Sequence, residues 1–597
     1  MPKADLTELA DRLERHLGDP HDPDSRMPFH RILEADEREE YPYPFVNLLQ
    51  RWGLPEYGMP REQGGLAGDV ETGFNLLRLV ARRDPTTATA LIITNLSFMP
   101  AWIAGTDARK RELVTAMRQG ARYAWGLSER QHGSDLLNNE TAAVKTDGGY
   151  LLSGEKWLIG NARVADGLTV LARTDPKGGP AGYSVFLVDK RATPAGTVDE
   201  LPDERLHGLR ALDMSGFRLD RVFVPDSALL GKAGQGLEIA LKSSQVARVL
   251  INSIALSATD TALRVTLDFT ERRTIFGKAV SDIPYSRRQI TECFADLMLC
   301  DAMCLGAVRA LQVVPEQSGV WSAAVKYLVP TVLERTMSQL NVVLGARFYL
   351  RGHPHYGIHQ KMLRDLPVAN FADGNTVVNL KSLASQLVGL LGTATQAGPE
   401  PREEAAERAA VLYGIDRELP RFEPWRQELF SRGGMDDALL AAPASLRRLR
   451  ELAGRAKEDE REWLLRAANA AERLLNGAAE LHDRVTALRA RLGRGYGQSA
   501  EVFDLAKEYT VLHATAACLH TFTHSYDAMA DPLPSGALLL LQFERLHRMS
   551  RPFEQITDEA VIDDAMRVLR HLHREDRLFS YWQFPLAARG DLPAAAL

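Results

Sequence analysis

Hydrophobic positions recur along this chain with two different periods. From the N-terminus to about residue 121 the period is helical. Val70, Phe74, Leu77 and Ala81 within Val70–Arg83 fall on one helix face, and Ala108–Arg118 repeats the pattern with charges outward. Between about Arg122 and Pro225 the pattern shortens into β-rich runs cut by Gly, Pro and Asp. Thr141–Thr146, the turn Asp147-Gly148-Gly149 and Tyr150–Ser153 read as a hairpin. Leu168–Ala172, Tyr183–Asp189 and Phe217–Val224 read as further strands. Helical spacing returns near Leu237, with long patterns over Ile239–Thr270, Ile290–Val313 and Ala323–Leu344 that predict a helix bundle.

The stretch Gly392–Glu407, rich in small residues, prolines and charges, predicts a linker. Beyond it, Leu446–Leu492 has heptad-like spacing and predicts an antiparallel helical hairpin rather than a coiled-coil partner site. Gly493–Gly497 reads as a turn. No repeat of fixed period and no low-complexity tract is present.

The length of 597 residues corresponds to about four domains. Lys plus Arg number 72 against 78 for Asp plus Glu, a net charge of −6 that argues against a nucleic-acid binder. No run of apolar residues approaches the length of a membrane span; Ala537–Leu541 is the most apolar short run. The N-terminus is charged and amphipathic, unlike a signal peptide. Four cysteines in a chain this long make no disulfide framework, so a reducing, cytoplasmic compartment is expected.

Five motifs follow in order. Trp125-Gly-Leu-Ser-Glu-Arg-Gln-His-Gly-Ser-Asp135 is a Ser/Gly-rich loop whose hydroxyls and N–H groups suit flavin edges and phosphates. Gly154-Glu-Lys-Trp-Leu-Ile-Gly-Asn161 comes next. Arg221-Val-Phe-Val-Pro225 leads to Gly231, Gly234 and Gly236. Arg273-Thr-Ile-Phe-Gly277 ends a long helix, and Arg364-Asp365 precedes Asp373-Gly374-Asn375. The ordered set, over about residues 60–390, resembles the acyl-CoA dehydrogenase flavoproteins. Their motifs read T-E-P-x-x-G-S-D, G-x-K-x-W-I-T-N, R-x-x-F-G, and an R-D pair before a catalytic E-G-T.

The resemblance implies a mostly α fold with a central β domain. Its parts are an N-terminal helical domain (1–121), a middle β-barrel (122–232), a C-terminal four-helix bundle (233–395) and an additional helical domain (396–597), with FAD where the first three meet. The extra domain is similar in layout to those of very-long-chain dehydrogenases and acyl-CoA oxidases, which implies a homodimer rather than a tetramer. Leu127, Ser128, Gly133 and Ser134 would lie on the flavin edge and its pyrophosphate, and Leu158 and Gly160 against the isoalloxazine. Arg273 and Phe276 would reach the FAD of a neighbouring subunit. Asn375 stands where the family has the threonine after Glu-Gly and is carried over as cofactor-binding. Asp373 stands at the catalytic carboxylate. It would take the α-proton of an acyl thioester while the β-hydride passes to flavin N5. Coenzyme A or an acyl carrier protein would carry the substrate, and electron-transfer flavoprotein is the expected partner of a true dehydrogenase. The diverged motifs are similar to the branch tied to specialised metabolism.

The departures bear on mechanism. Asp373 is one methylene shorter than the family's Glu, on the order of 1.5 Å. Ala247 supplies no base from the position before Arg248, which itself reads as a packing or salt-bridge residue. Leu158 and Gly160 replace the tryptophan and threonine that cover and contact the flavin, and Trp157 lies one place early. Arg130-Gln131-His132 replaces Pro-x-x, with His132 a hydrogen-bonded loop histidine or a second proton-transferring group. Val343-Leu-Gly-Ala346 replaces a glycine-rich turn. His353, His355 and His359 lack a completing Cys or acidic pair, so no metal is expected. His520 and His524 read as packing, and Cys300 and Cys304 as buried core. An oxidase, favoured by an exposed flavin N5 at Gly160, a flavin monooxygenase, and a non-catalytic carrier-protein scaffold are the alternatives.

Overall fold

The computed structural model describes residues 3–66, 68–552, 554 and 557–587. The N-terminal helices are α1 (Lys3–Leu17), α2 (Phe29–Arg38), α3 (Tyr43–Trp52), α4 (Val70–Ala81), α5 (Pro85–Ala104) and α6 (Asp107–Arg118). Eight strands follow: β1 (Tyr123–Gly126), β2 (Ala142–Thr146), β3 (Gly149–Gly160), β4 (Gly167–Arg173), β5 (Tyr183–Asp189), β6 (Val198–Leu201), β7 (Met214–Pro225) and β8 (Leu229–Leu230). Then come α7 (Gly236–Leu250), α8 (Asn252–Arg272), a two-stranded hairpin of β9 (Thr274–Ile275) and β10 (Lys278–Ala279), α9 (Pro284–Val313) and α10 (Ser318–Leu344). Short helices α11 (Gly357–Asp365), α12 (Val368–Phe371), α13 (Thr376–Ala384) and α14 (Leu387–Gln396) lead to α15 (Pro399–Tyr413), α16 (Asp437–Arg455), α17 (Glu458–Leu492), α18 (Ala500–Ser525), α19 (Gly536–Ser550) and α20 (Glu559–Arg574).

The chain divides into two compact units. One comprises Arg31–Ala247 and Arg421–Leu429. Two of its helices, α4 and α5, start at aspartate caps. Asp69 accepts from the Thr72 amide (2.7 Å), and Asp84 accepts from those of Thr86 and Thr87, with Pro85 at the first helical position. α5 is 20 residues long and apolar enough to cross a membrane, but most of it is buried inside the protein. It is fastened to the sheet by polar groups: Thr169 donates to the Ser97 carbonyl (2.7 Å) and Asn161 to that of Ala90 (2.8 Å).

The sheet runs β6-β7-β3-β2-β4-β5-β8, with β1 parallel to β4. It closes over one apolar cluster drawn from β1 to β5 and β7, including Leu152, Ile159, Val170, Phe186, Phe217 and Val222. β2 and β3 form the expected hairpin about Asp147-Gly148, where Gly148 takes a φ of 72°. Between Trp157 and Ile159 the pairing of β3 with β7 slips, and Leu158 stands at a φ of 57° in the bulge.

The second unit comprises Met1–His30, Arg248–Pro420 and Phe430–Leu597. The expected single pattern over Ile239–Thr270 is two helices, broken at Ile251. The expected linker Gly392–Glu407 is also helical except at Ala397-Gly398. Pro399 sits in the first turn of α15, where its missing N–H costs nothing. α16 and α17 form the antiparallel hairpin, bridged by Arg450 and Glu472 at 2.7 Å. α18 is buried along most of its length, and His520 and His524 on it both bond the Ser445 hydroxyl, at 2.8 and 3.1 Å. α19 is tied to α9 by buried charges. Arg545 bonds Asp296 (2.7 Å) and Glu292 (3.0 Å), and Arg548 bonds Glu292 (2.6 Å).

Candidate active site

In the first unit, the loop after β1 is anchored on a buried ion pair. The Glu129 carboxylate accepts from the Lys156 ammonium (2.9 Å) and from the amides of Glu140 (2.6 Å) and Thr141 (2.9 Å). Burial opposes the Glu129 charge, but Lys156 and the amides hold its carboxyl below the ordinary value. Burial pushes Lys156 down to about 8 against the pull of Glu129. Lys156 also donates to the Leu127 carbonyl (3.2 Å), so the lysine of the second motif holds down the loop of the first.

The expected cofactor residues divide into committed and free groups. The Ser128 hydroxyl donates to the Trp157 carbonyl (3.1 Å) and zips the loop to β3, leaving its oxygen only as an acceptor. The Leu127 carbonyl is taken up by Asn139 (2.7 Å) and Lys156. The amides of Gly133 and Ser134 and the Ser134 hydroxyl are exposed and make no hydrogen bond among the described residues. Nothing lies within 4 Å of a Cβ built on Gly133. Three unused donors beside open space suit the pyrophosphate of FAD. His132 closes a turn with Glu129 through backbone bonds of 3.0 and 3.1 Å.

Leu158 is exposed. Trp157 has its own partners: its indole N–H donates to Glu204 (2.8 Å) and Arg130 lies 4.4 Å over its ring. Gly160 is half-buried. A Cβ there would lie 2.4 Å from Ile93 Cδ1, so the α5 side chain already fills that space.

In the second unit, the loop between α12 and α13 presents Asp373. Both Asp373 (φ 56°) and Gly374 (φ 103°) are left-handed. For an aspartate this conformation costs about 1–2 kcal/mol and is kept only where neighbours enforce it. Three side chains do so. Arg248 Nε donates to the Asp373 carbonyl (2.9 Å), Lys326 Nζ to that of Ala369 (2.5 Å), and Asn379 to those of Gly374 (3.0 Å) and Asn375 (2.8 Å). A Cβ on Gly374 would come within 3.1 Å of the Arg248 guanidinium, which lies close against this glycine.

The Asp373 carboxylate accepts no hydrogen bond from the described residues. Burial raises its carboxyl above the ordinary value, and Lys326 and Arg248 pull it back. Burial drives Lys326 down to about 7 against the attraction of Asp373. The result is a half-buried carboxylate on a braced backbone, free to take a proton.

The side-chain oxygen of Asn375 caps α13 by accepting from the Val378 amide (3.0 Å). Arg273 is exposed beside the β9–β10 hairpin. Phe276 at its tip is 96% exposed with a φ of 52°. The Arg364-Asp365 motif is structural: Arg364 bonds Gln360 (2.8 Å) and Lys361 bonds Asp365 (2.5 Å). Of the three loop histidines, His359 bonds Asn341 (2.8 Å) and His353 accepts two backbone amides at 3.2 Å, one of them from His355. Cys300 and Cys304 are buried free thiols. Sequence reasoning missed Glu129, Lys156, Ile93 and Lys326. Glu129 and Lys156 stood inside the first two motifs and Lys326 as a charge in an apolar run, so only Ile93 carried no signal.

Residues 124–222 match the family model "Acyl-CoA dehydrogenase, middle domain", and residues 234–388 match "Acyl-CoA dehydrogenase, C-terminal domain". An acyl-CoA dehydrogenase of Bacillus subtilis (strain 168) is 30% identical over 248 residues, 41% of this chain and 65% of the relative. The chain thus spans just under two thirds of that protein's length. Cyclohex-1-ene-1-carbonyl-CoA dehydrogenase of Syntrophus aciditrophicus (strain SB) is 25% identical, covering 58% of this chain and 83% of the relative. The solved acyl-CoA dehydrogenase of Bacillus anthracis, complexed with FAD, has the same fold at a TM-score of 0.68 and 16% identity, over 96% of both chains. Residues 124–222 and 234–388 thus carry the sequence of acyl-CoA dehydrogenase middle and C-terminal domains, and the chain is similar to the acyl-CoA dehydrogenases in sequence. Its C-terminal helices are part of a fold that the Bacillus anthracis enzyme shares.

Proposed function

We propose that the chain removes the α-proton and β-hydride of a saturated acyl thioester, with Asp373 as the base. The observation that carries this is the Asp373 carboxylate itself. It accepts no hydrogen bond from the described residues and stands on a left-handed backbone that Arg248 holds by the carbonyl. When bound, FAD supplies the two-electron acceptor for the hydride. Asp373 accepts the α-proton, and its raised carboxyl matches it to that weak carbon acid. Gly133 and Ser134 hold the FAD pyrophosphate through their free donors, and Leu158 and Gly160 face its ring system. Coenzyme A or an acyl carrier protein carries the acyl group, and electron-transfer flavoprotein takes the electrons.

The exposed Phe276 supports a homodimer in which this hairpin reaches the neighbouring subunit's FAD. Phe276→Glu is expected to shift the dimer towards monomer in sedimentation and to lower FAD occupancy.

The test is flavin absorbance during anaerobic mixing with saturated acyl-CoA and acyl-carrier-protein thioesters. Bleaching with one class is expected and names the carrier. Bound FAD that no thioester bleaches would overturn dehydrogenation of these substrates, and oxygen uptake with peroxide release would support the oxidase reading.

A further inference from the structure

Lys326 is a lysine in the middle of α10, almost wholly buried, with apolar residues on either side in sequence. Its ammonium donates to the Ala369 carbonyl of α12 at 2.5 Å, and no carboxylate reaches ion-pair distance among the described residues. A buried lysine without an ion pair is expensive to keep. α12 leads directly into Asp373, whose carbonyl is held from the other side by Arg248. The charged groups facing Asp373 are therefore Lys326 from α10 and Arg248 from α7. The groups facing Lys326 are Asp373 and Arg248. From α13 the loop receives the neutral amide of Asn379.

We propose that Lys326 is a positioning residue for the Asp373 base. It holds the α12 approach through Ala369 and, as one of two buried cations whose field reaches the carboxylate, keeps Asp373 ionised and ready to take a proton. The inference rests on the reading of Asp373 as base. Lys326 is the group Asp373 feels first among its cations, and burial leaves that lysine close to neutrality. Its charge is thus present in mildly acidic solution, where Asp373 would otherwise protonate, and falls away in alkaline solution, where Asp373 needs no help.

The experiment isolates proton removal from hydride transfer. A 3-thiaacyl thioester, on coenzyme A or on pantetheine, keeps its α-protons but has sulfur in place of the β-carbon and so has no hydride to give. Its α-protons still exchange in D2O as the C–H bond breaks, the proton joins Asp373 and a solvent deuteron returns. The exchange rate is followed by mass spectrometry against pH in the FAD-loaded protein, with bound FAD and the melting temperature recorded for each variant.

Lys326→Met and Lys326→Gln are expected to move the acid limb up by about one pH unit, roughly a tenfold loss below it. The alkaline plateau is expected to stay within about twofold, and Lys326→Arg to restore the wild-type limb. Lys326→Gln keeps a donor for the Ala369 carbonyl, so it separates charge from backbone support and stands in if Lys326→Met does not fold. An equal loss at every pH, or no shift of the limb, would overturn the electrostatic role. Exchange that survives Asp373→Asn would instead overturn Asp373 as the base, whatever the lysine variants do.

Discussion

Lys156 and Lys326 are both buried beside carboxylates, and they are treated in opposite ways. Lys156 meets Glu129 at 2.9 Å, and the carboxylate's other lone pairs are taken up by two backbone amides. Lys326 meets only a carbonyl, and Asp373 stands in its field without a bond. The first arrangement is closed and spends both charges on holding a loop. The second leaves its carboxylate uncommitted and braces the backbone instead. The same residue types yield a fastener where every lone pair is satisfied and a candidate reactive group where one is withheld.

The largest test of this contrast is Asp373→Asn. It is expected to slow flavin bleaching by about 10²–10⁴-fold, the usual worth of a positioned base. FAD content and the melting temperature should scarcely change, because no described residue bonds that carboxylate; a large fall in melting temperature would show Asp373 to be a fastener too.

Next comes Lys156→Met. Breaking a satisfied buried pair costs about 3–5 kcal/mol, which urea unfolding would register, along with loss of FAD as the loop loosens. The double variant with Glu129→Gln should recover part of that loss. Equal stability of single mutant and wild type would erase the distinction between the pairs.

The pH dependence sharpens it further. Lys156 is pushed down to about 8 in the folded protein against 10.5 when free, so the unfolded chain binds the extra proton between those values. Its burial penalty is in force below about pH 8 and lifts as pH rises towards 10.5. Stability should therefore gain on the order of 1–3 kcal/mol over that window from this group, and Lys156→Met should flatten the gain. Glu129 has the opposite sense: its lowered carboxyl adds stability above its unfolded value, lost as acid protonates it.

How much of this was open to sequence reasoning depended on range. The β2–β3 hairpin was visible because Asp147-Gly148 is a local signal. The break at Ile251 was hidden because apolar spacing continues through it. Gly392–Glu407 read as a linker because proline and glycine were counted without their place in the helix, and Pro399 is at a position where proline starts one. Asp373 stood out by its motif. Lys326 could be noticed as a charge in an apolar run, but its target, the Ala369 carbonyl, is a tertiary fact. Ile93 carried no signal at all, since its meaning arises only where α5 meets Gly160.

That last contact gives the smallest expected effect. Gly160→Thr should cost about 1–3 kcal/mol by overpacking against Ile93, and Ile93→Ala should relieve it in a double-mutant cycle. Additive costs would place the two side chains apart.

The charges joining α9 to α19 have a consequence for ancestry. Glu292 and Asp296 are buried acids on α9, and Arg545 and Arg548 answer them from the far end of the chain. A lineage that lost the distal helices would open this face of α9 to water, and Glu292 would keep only Arg288 of its own helix as a partner. The acids and the arginines that answer them are therefore a record of two distant stretches of one gene changing together.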